Sequence, residues 1–285
     1  MKKILVPTDF SDIAGYAFEF AYQLASGLSA EIELIHIMDI PDSMGYSDLN
    51  VSGSHSAIGN IDDVYVVKLL QVTKQKLAKI VNNPKYQDVK ITHRIKAGTA
   101  YKKIYDEIVK EKIDLIIMGT SGVDNWEQSL IGTTAERVVR FANCPVISMR
   151  KPAKLEKIKN VAYASDFGKG QPNVTQFLLN FTALTKANIH LVKINTPSHF
   201  KNDKDNYSMI RSFAEDQKIK NAELHVHNHI HEEEGIVQFA EMYKMDMIFM
   251  TTRGRGGFSR IMDGSIAEGV VNYSPIPVLT WRLAK

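Results

Sequence analysis

The chain carries its own template twice. Asp114, Pro145 and Arg150 recur as Asp246, Pro277 and Arg282, each 132 residues later, whereas Asp9 and Ile32 recur as Asp166 and Ile189, 157 residues later. The two offsets, 157 against 132, leave the second copy 25 residues shorter between its second strand and its closing segment. A repeat this long is a duplicated domain and not a solenoid unit, and two units of ordinary domain size fit a 285-residue chain. The division falls at 1–152 and 153–285.

Within each copy, short β-branched runs alternate with helical patterns. Lys3–Thr8 predicts a strand buried on both faces, and Ser11 an N-cap for a helix whose apolar residues recur at Tyr16, Phe20 and Leu24. Ile32–Ile37, Val89–Ile95, Ile113–Met118 and Val146–Met149 predict four further strands. Val64–Val81, Ala100–Glu111 and Thr133–Phe141 predict the helices between them, and Pro41 to Asn60 predicts a long polar loop in the stretch that the second copy lacks. The second copy repeats the order from Asn160–Ser165 to Val278–Trp281. Such alternation implies an α/β fold of two tandem five-stranded parallel sheets with helices on both faces; as a doubly wound sheet, each is expected to take the strand order 3-2-1-4-5. The fifth strands, apolar and otherwise exposed at an edge, are expected to pair and pack the copies as a pseudo-dimer within one chain.

Composition adds bounds. The 44% apolar and 24% charged content suits a globular protein with two cores. A formal net charge of +3 gives no footing for nucleic acid or an acidic membrane, and no apolar run reaches membrane-spanning length. The lone Cys144 fits a reducing compartment, so the reading is cytoplasmic.

The sharpest chemical signal is Gly119-x-x-Gly122, nine residues, then Gly132-Thr133-Thr134, lying after a strand and opening a helix. Glycine lets backbone approach a ligand, and a helix start offers N–H and hydroxyl donors to phosphate. The alternative is a strand–loop–helix turn that uses glycine for geometry alone. Asp9, Ile37 and Gly119 all fall at carboxyl ends of strands, where ligands of such sheets bind.

Together these motifs resemble the universal stress protein family: the glycine spacing, the first strand ending Pro7-Thr8-Asp9, the second ending Leu34-Ile35-His36-Ile37, and the run Asp114–Gly119. The likeness covers both halves, as in a tandem member. It implies adenine nucleotide binding, ATP or AMP, with Mg²⁺ as an optional companion, and a stress-response role. Asp9 would then bond the ribose, Pro7 and Thr8 would line the adenine, and Ile37 would meet the base through its main chain. Met118, Gly119 and Gly122 would sit by ribose and phosphates, and Gly132, Thr133 and Thr134 would hold the phosphate chain. The second copy would use Asp166, Ile194, Gly254, Gly264 and Ser265 less well, because Thr251 stands where the first has Gly119.

Both copies depart from the family. Val123-Asp124-Asn125-Trp126-Glu127 brings acid into the first glycine loop, and Glu232-Glu233-Glu234 follows the third strand of the second copy. His225, His227, His229 and His231 alternate along that strand, so adjacent imidazoles share a face; His225, His227 and His229 are candidate metal ligands, but a polar face on an edge strand is the reading the pattern favours. No nucleophile–base pair is recognisable. Three functions therefore stand: a nucleotide-binding regulatory protein without a committed catalytic step, a slow Mg²⁺-dependent ATP hydrolase or phosphoryl transferase, and a scaffold whose sites have decayed. Homodimer formation stays open.

Overall fold

The computed structural model describes residues 1–39, 61–121, 133–168, 172–253 and 266–283. The expected loop between Pro41 and Asn60 lies outside them. In the first half, β1 (Lys3–Pro7), α1 (Asp12–Leu28), β2 (Glu31–Met38), α2 (Ile61–Val81), β3 (Ile91–Ala97), α3 (Ala100–Glu111), β4 (Leu115–Gly119), α4 (Thr133–Phe141) and β5 (Val146–Met149) follow one another. The second half repeats the order with β6 (Asn160–Ala164), α5 (Pro172–Thr185), β7 (Asn188–Asn195), α6 (Asp203–Asp216), β8 (Glu223–Asn228), α7 (Glu232–Met242), β9 (Met247–Arg253), α8 (Ile266–Tyr273) and β10 (Val278–Leu283).

Local chemistry sets these elements. Ser11 caps α1 by accepting from the Ala14 N–H at 3.2 Å, and Ser29 ends it in the left-handed region. Between the caps, Ala14, Ala17, Phe18, Ala21, Leu24 and Ala25 recur at helical spacing and are buried against the sheet. Ile4, Leu5 and Val6 of β1 are fully buried because helices cover both faces of that strand.

The expected pairing of the halves is realised as one continuous sheet, β3-β2-β1-β4-β5-β10-β9-β6-β7-β8. Each half is parallel internally in the order 3-2-1-4-5. The seam is antiparallel, Val278 facing Ser148, Leu279 facing Ile147 and Thr280 facing Val146. One apolar cluster runs along the face carrying α1, α2, α5 and α6, and a second along the face carrying α3, α4, α7 and α8, each built from both halves. Arg140 of α4 reaches Glu268 of α8 in a bidentate pair at 2.7 and 3.0 Å, and Arg150 Nη1 donates to the Asn272 carbonyl at 3.2 Å. On the other face, a Cβ at Gly27 would lie 3.0 Å from Leu184 Cδ1, so α1 and α5 close the seam there.

Near the amino ends of the first half's strands, the core holds charge. Lys3 Nζ meets Glu33 at 2.8 Å and Glu111 at 2.7 Å. Arg94 Nε lies 2.9 Å from Glu33 and 3.1 Å from Glu107, and its Nη2 lies 2.7 Å from Glu111. Three carboxylates thus share two cations. Burial, then a bond shared with Glu33 and the charge of Glu33, push the Glu107 carboxyl up to about 7, against the pull of Arg94 and Lys96.

The folded chain therefore keeps a proton that an unfolded glutamate, at 4.5, would release. The stability tied to that proton is present below the unfolded value and is lost as pH rises towards 7. Glu107→Gln cannot ionise, so its stability relative to the wild type should rise by about 1–3 kcal/mol between about pH 5 and pH 8. Urea midpoints measured at the two pH values check this; a constant difference contradicts it.

Candidate functional site

β1 ends in a tight reversal that recurs in both halves. The Phe10 N–H donates to Thr8 Oγ1 at 3.1 Å and the Ser11 N–H to Asp9 Oδ1 at 2.9 Å. At the matching place, the Phe167 N–H donates to Ser165 Oγ at 3.1 Å and the Gly168 N–H to Asp166 Oδ1 at 3.2 Å. Phe10 (φ 66°) and Phe167 (φ 50°) both occupy the left-handed region that bulky residues avoid. A strained turn kept twice holds Asp9 and Asp166 in the same place at the end of their strands.

Asp9 is exposed. Partial burial raises its carboxyl, but the hydroxyl and N–H of Ser11, its own N–H and the nearby His36 outweigh that and hold it below the usual range. It is therefore a carboxylate near neutrality, with acceptor capacity beyond the bond to Ser11. The Phe10 ring lies against that of His36, centroids 4.6 Å apart and planes tilted by 34°, with Lys76 Nζ 5.0 Å from the Phe10 centroid. His36 is pushed towards neutrality by burial and by Lys76, while its contact with the Thr8 carbonyl and the charge of Asp9 oppose this.

Beside this turn, β2 outlasts β1. The register ends at Pro7 opposite Ile35, and the Thr8 N–H bonds the Ile35 carbonyl at 2.8 Å. The Thr8 carbonyl is met by His36 Nδ1 at 2.7 Å, so no backbone bond among the described residues carries the ladder on to Ile37. Alternate residues of a strand turn their polar groups to the same side, and Ile37 therefore faces the β1 side with the ladder finished. That leaves an amide edge of the kind a flat heterocycle can pair with.

β4 contributes differently from the expectation. Met118 is buried in the core, so only its main chain can meet a ligand. At Gly119 an added Cβ would lie 2.7 Å from Ile13 Cγ2 and 3.0 Å from the Ile13 carbonyl. The missing side chain is thus required by the approach of α1, whatever else binds there. Thr251 occupies the matching place in β9, next to the buried Tyr163, whose hydroxyl burial pushes up while Thr251 and Ser165 oppose it. Thr133 and Thr134 lie in the first described turn of α4, whose amino-terminal end faces the carboxyl-end rim of the sheet. Gly122, Gly132, Gly254, Gly264 and Ser265 lie outside the described residues.

The second half's rim is more occupied. Ile194 is buried, and a Cβ at Gly235 would lie 2.8 Å from both Ile194 Cγ2 and His229 Cβ, so α7 presses on the end of β7. Glu232, Glu233 and Glu234 fill the first turn of α7, Glu232 lying 3.5 Å from His199 and Glu234 3.9 Å from His229. An open cleft of about 620 Å³ lies beyond β7 and β8, between Asn195, Phe200, Asn228 and Ile230. Ile230 is 71% exposed in it, not turned to a core.

The alternating histidines do not converge as one ligand set. His227 Nε2 meets Gln238 Oε1 at 3.0 Å, and His229 Nδ1 receives the His231 N–H at 3.1 Å. His225 instead meets His190 of β7, because the parallel register sets that strand beside it. No motif singled out Phe10 or Lys76, and His36 stood only as part of the second-strand motif; the recurrence of Phe10 as Phe167 at the 157-residue offset was the available signal for the first.

The fold defines a doubly wound α/β protein with a duplicated turn at the rim of its strand ends. The sequence pattern of the universal stress protein family matches residues 1–150 and again 157–282, and the chain belongs to that family, with its general stress-related role. It is similar end to end to universal stress protein Slr1230 of Synechocystis, 26% identical over 299 residues that cover 99% of this chain and 100% of that one. Universal stress protein MJ0531 of Methanocaldococcus jannaschii is 33% identical over 153 residues, 54% of this chain and 84% of its own. The crystal structure of a universal stress protein from Archaeoglobus fulgidus shares the fold over 98% of both chains, with TM-score 0.75 and 20% identity. Among the described residues, no helix is long and apolar enough to cross a membrane.

The packing at Gly119 has a direct consequence. Gly119→Ala must shift Ile13 and should destabilise the fold by about 1–3 kcal/mol, read as a lower urea midpoint. An unchanged midpoint would mean that α1 is free to move and that the glycine serves another purpose.

Proposed function

We propose that the chain is a regulatory protein that binds an adenine nucleotide, ATP or AMP, at the rim of its first half, without a committed catalytic step. The observation that carries this is the meeting of three features: the ionised Asp9, the finished ladder beside Ile37 and the opening turn of α4. Asp9 accepts from the ribose hydroxyls, and Pro7 and Thr8 flank the base. Ile37 pairs with the base edge through its N–H and carbonyl. Met118, Gly119 and Gly122 border ribose and phosphates. Gly132, Thr133 and Thr134 offer donors to the phosphate chain, with Mg²⁺ available to offset the acids of the nearby loop.

The matching set Asp166, Ile194, Gly254, Gly264 and Ser265 is the weaker one. Burial of Ile194 beneath α7, the acids of its first turn and the side chain at Thr251 all stand against a nucleotide there. The chain is accordingly read as cytoplasmic, with a small nucleotide as its ligand.

Calorimetry separates the two rims. ATP or AMP should bind the wild type and Gly264→Asp alike, and Gly132→Asp should weaken binding at least tenfold, about 1.4 kcal/mol. Loss only in Gly264→Asp reverses the ranking. No heat and no thermal stabilisation with ATP, ADP, AMP or cyclic AMP would favour a scaffold with decayed sites.

A further inference from the structure

The charged core cluster of the first half has a counterpart in the second, built from different chemistry. The 157-residue offset places Asn160 at Lys3 and His190 at Glu33. The strand register places Glu223 at Thr92 and His225 at Arg94, since Glu33 faces Thr92 and Ile35 faces Arg94 just as His190 faces Glu223 and Val192 faces His225. The 132-residue offset places Phe239 at Glu107 and Tyr243 at Glu111. The two cations that tied β1, β2 and β3 to α3 are gone from these positions. Two imidazoles and a carboxylate stand in their place, walled by Phe239 and Tyr243, whose rings lie 5.1 and 5.2 Å from that of His225.

Three ligand atoms converge. His190 Nδ1 lies 3.1 Å from His225 Nε2 and 3.5 Å from Glu223 Oε2, and His225 Nε2 lies 3.7 Å from the same Oε2. These separations form a triangle whose circumradius is about 2.0 Å, so an ion at its centre would touch all three at zinc–nitrogen and zinc–oxygen distances of about 2.0–2.2 Å. The outer contacts fit as well. His190 Nε2 lies 3.3 Å from Asn160 Oδ1, which fixes the proton on that nitrogen and leaves Nδ1 with its lone pair turned to the centre. His190 is buried, whereas Glu223 is exposed, so a fourth position opens to water.

We propose that His190 Nδ1, His225 Nε2 and Glu223 Oε2 form a site for one Zn²⁺-class divalent ion, which fastens the edge strand β8 to β7. The ion supplies the positive charge that Lys3 and Arg94 supply in the first half. Neutral imidazoles with one carboxylate select a borderline transition metal over Mg²⁺ or Ca²⁺, which prefer all-oxygen sets. The site lies at the amino ends of β7 and β8, apart from the rim of its own half, and owes nothing to nucleotide. In the metal-free state the same two imidazoles share a hydrogen bond, and that is the competing description the experiment must exclude.

The test uses the full chain without an affinity tag, stripped with chelator and titrated with Co²⁺ as a spectroscopic probe and then with Zn²⁺. One equivalent of Co²⁺ should give the intense visible bands of a low-symmetry four-coordinate ion, displaced by Zn²⁺, and Zn²⁺ should raise the melting temperature. Glu223→Gln, at an exposed position, and His225→Ala should each weaken binding more than tenfold and abolish the melting shift. Asn160→Ala should weaken it about tenfold. His227→Ala should leave it unchanged. Should His225→Ala not fold, Glu223→Gln alone decides. Absence of a saturable equivalent, or binding that survives Glu223→Gln, overturns the site and leaves the hydrogen-bonded histidine pair.

Discussion

Antiparallel pairing of β5 with β10 is the constraint on which the rest of this molecule depends. Each half ends its sheet in an apolar strand that would otherwise offer unpaired N–H and carbonyl groups to any passing chain. Joining the two removes both edges, extends each apolar cluster across the seam, and brings Arg140 onto Glu268. It also fixes polarity. Strands are parallel within each half and opposed across the seam, so the carboxyl-end rims of the two halves lie at opposite ends of the sheet. A ligand on one rim cannot be shared with the other.

Held in one frame, the copies have been free to diverge at matched positions. Where β4 keeps Gly119 against Ile13, β9 carries Thr251 beside the buried Tyr163. Where the first half gathers the partly buried Lys3, Arg94 and Glu111 around the buried Glu33 and Glu107, the second sets the buried His190 against the half-buried His225, beside Phe239 and Tyr243. Each solution satisfies the same geometry: polar groups that cannot reach water must find partners across β-strands and the covering helix. The turn after the first strand of each half did not diverge, down to its left-handed phenylalanine.

Much of the fold was legible in the sequence because its signals are local. A helical pattern gave α3 and a β-branched run gave β5 their observed limits, and the apolar edge of the fifth strands located the seam. The site was legible only in part. Asp9 and Ile37 could be placed at strand ends, but the reason Ile37 is available, a first strand that stops too soon, depends on register. Gly119 was read for ligand approach, and its demand comes from a helix more than a hundred residues earlier. The histidines of β8 suggested one another by alternation, while the partner that His225 meets sits on β7, 35 residues away, where no spacing rule looks.

The proposed adenine nucleotide rim, one per duplicated chain, is open to a direct count. Native mass spectrometry of the intact chain, titrated with ATP to saturation, tests it most directly. One nucleotide per chain, bound before any second adduct forms, is the predicted result. Two nucleotides filling with equal affinity, or none at any concentration, would contradict it.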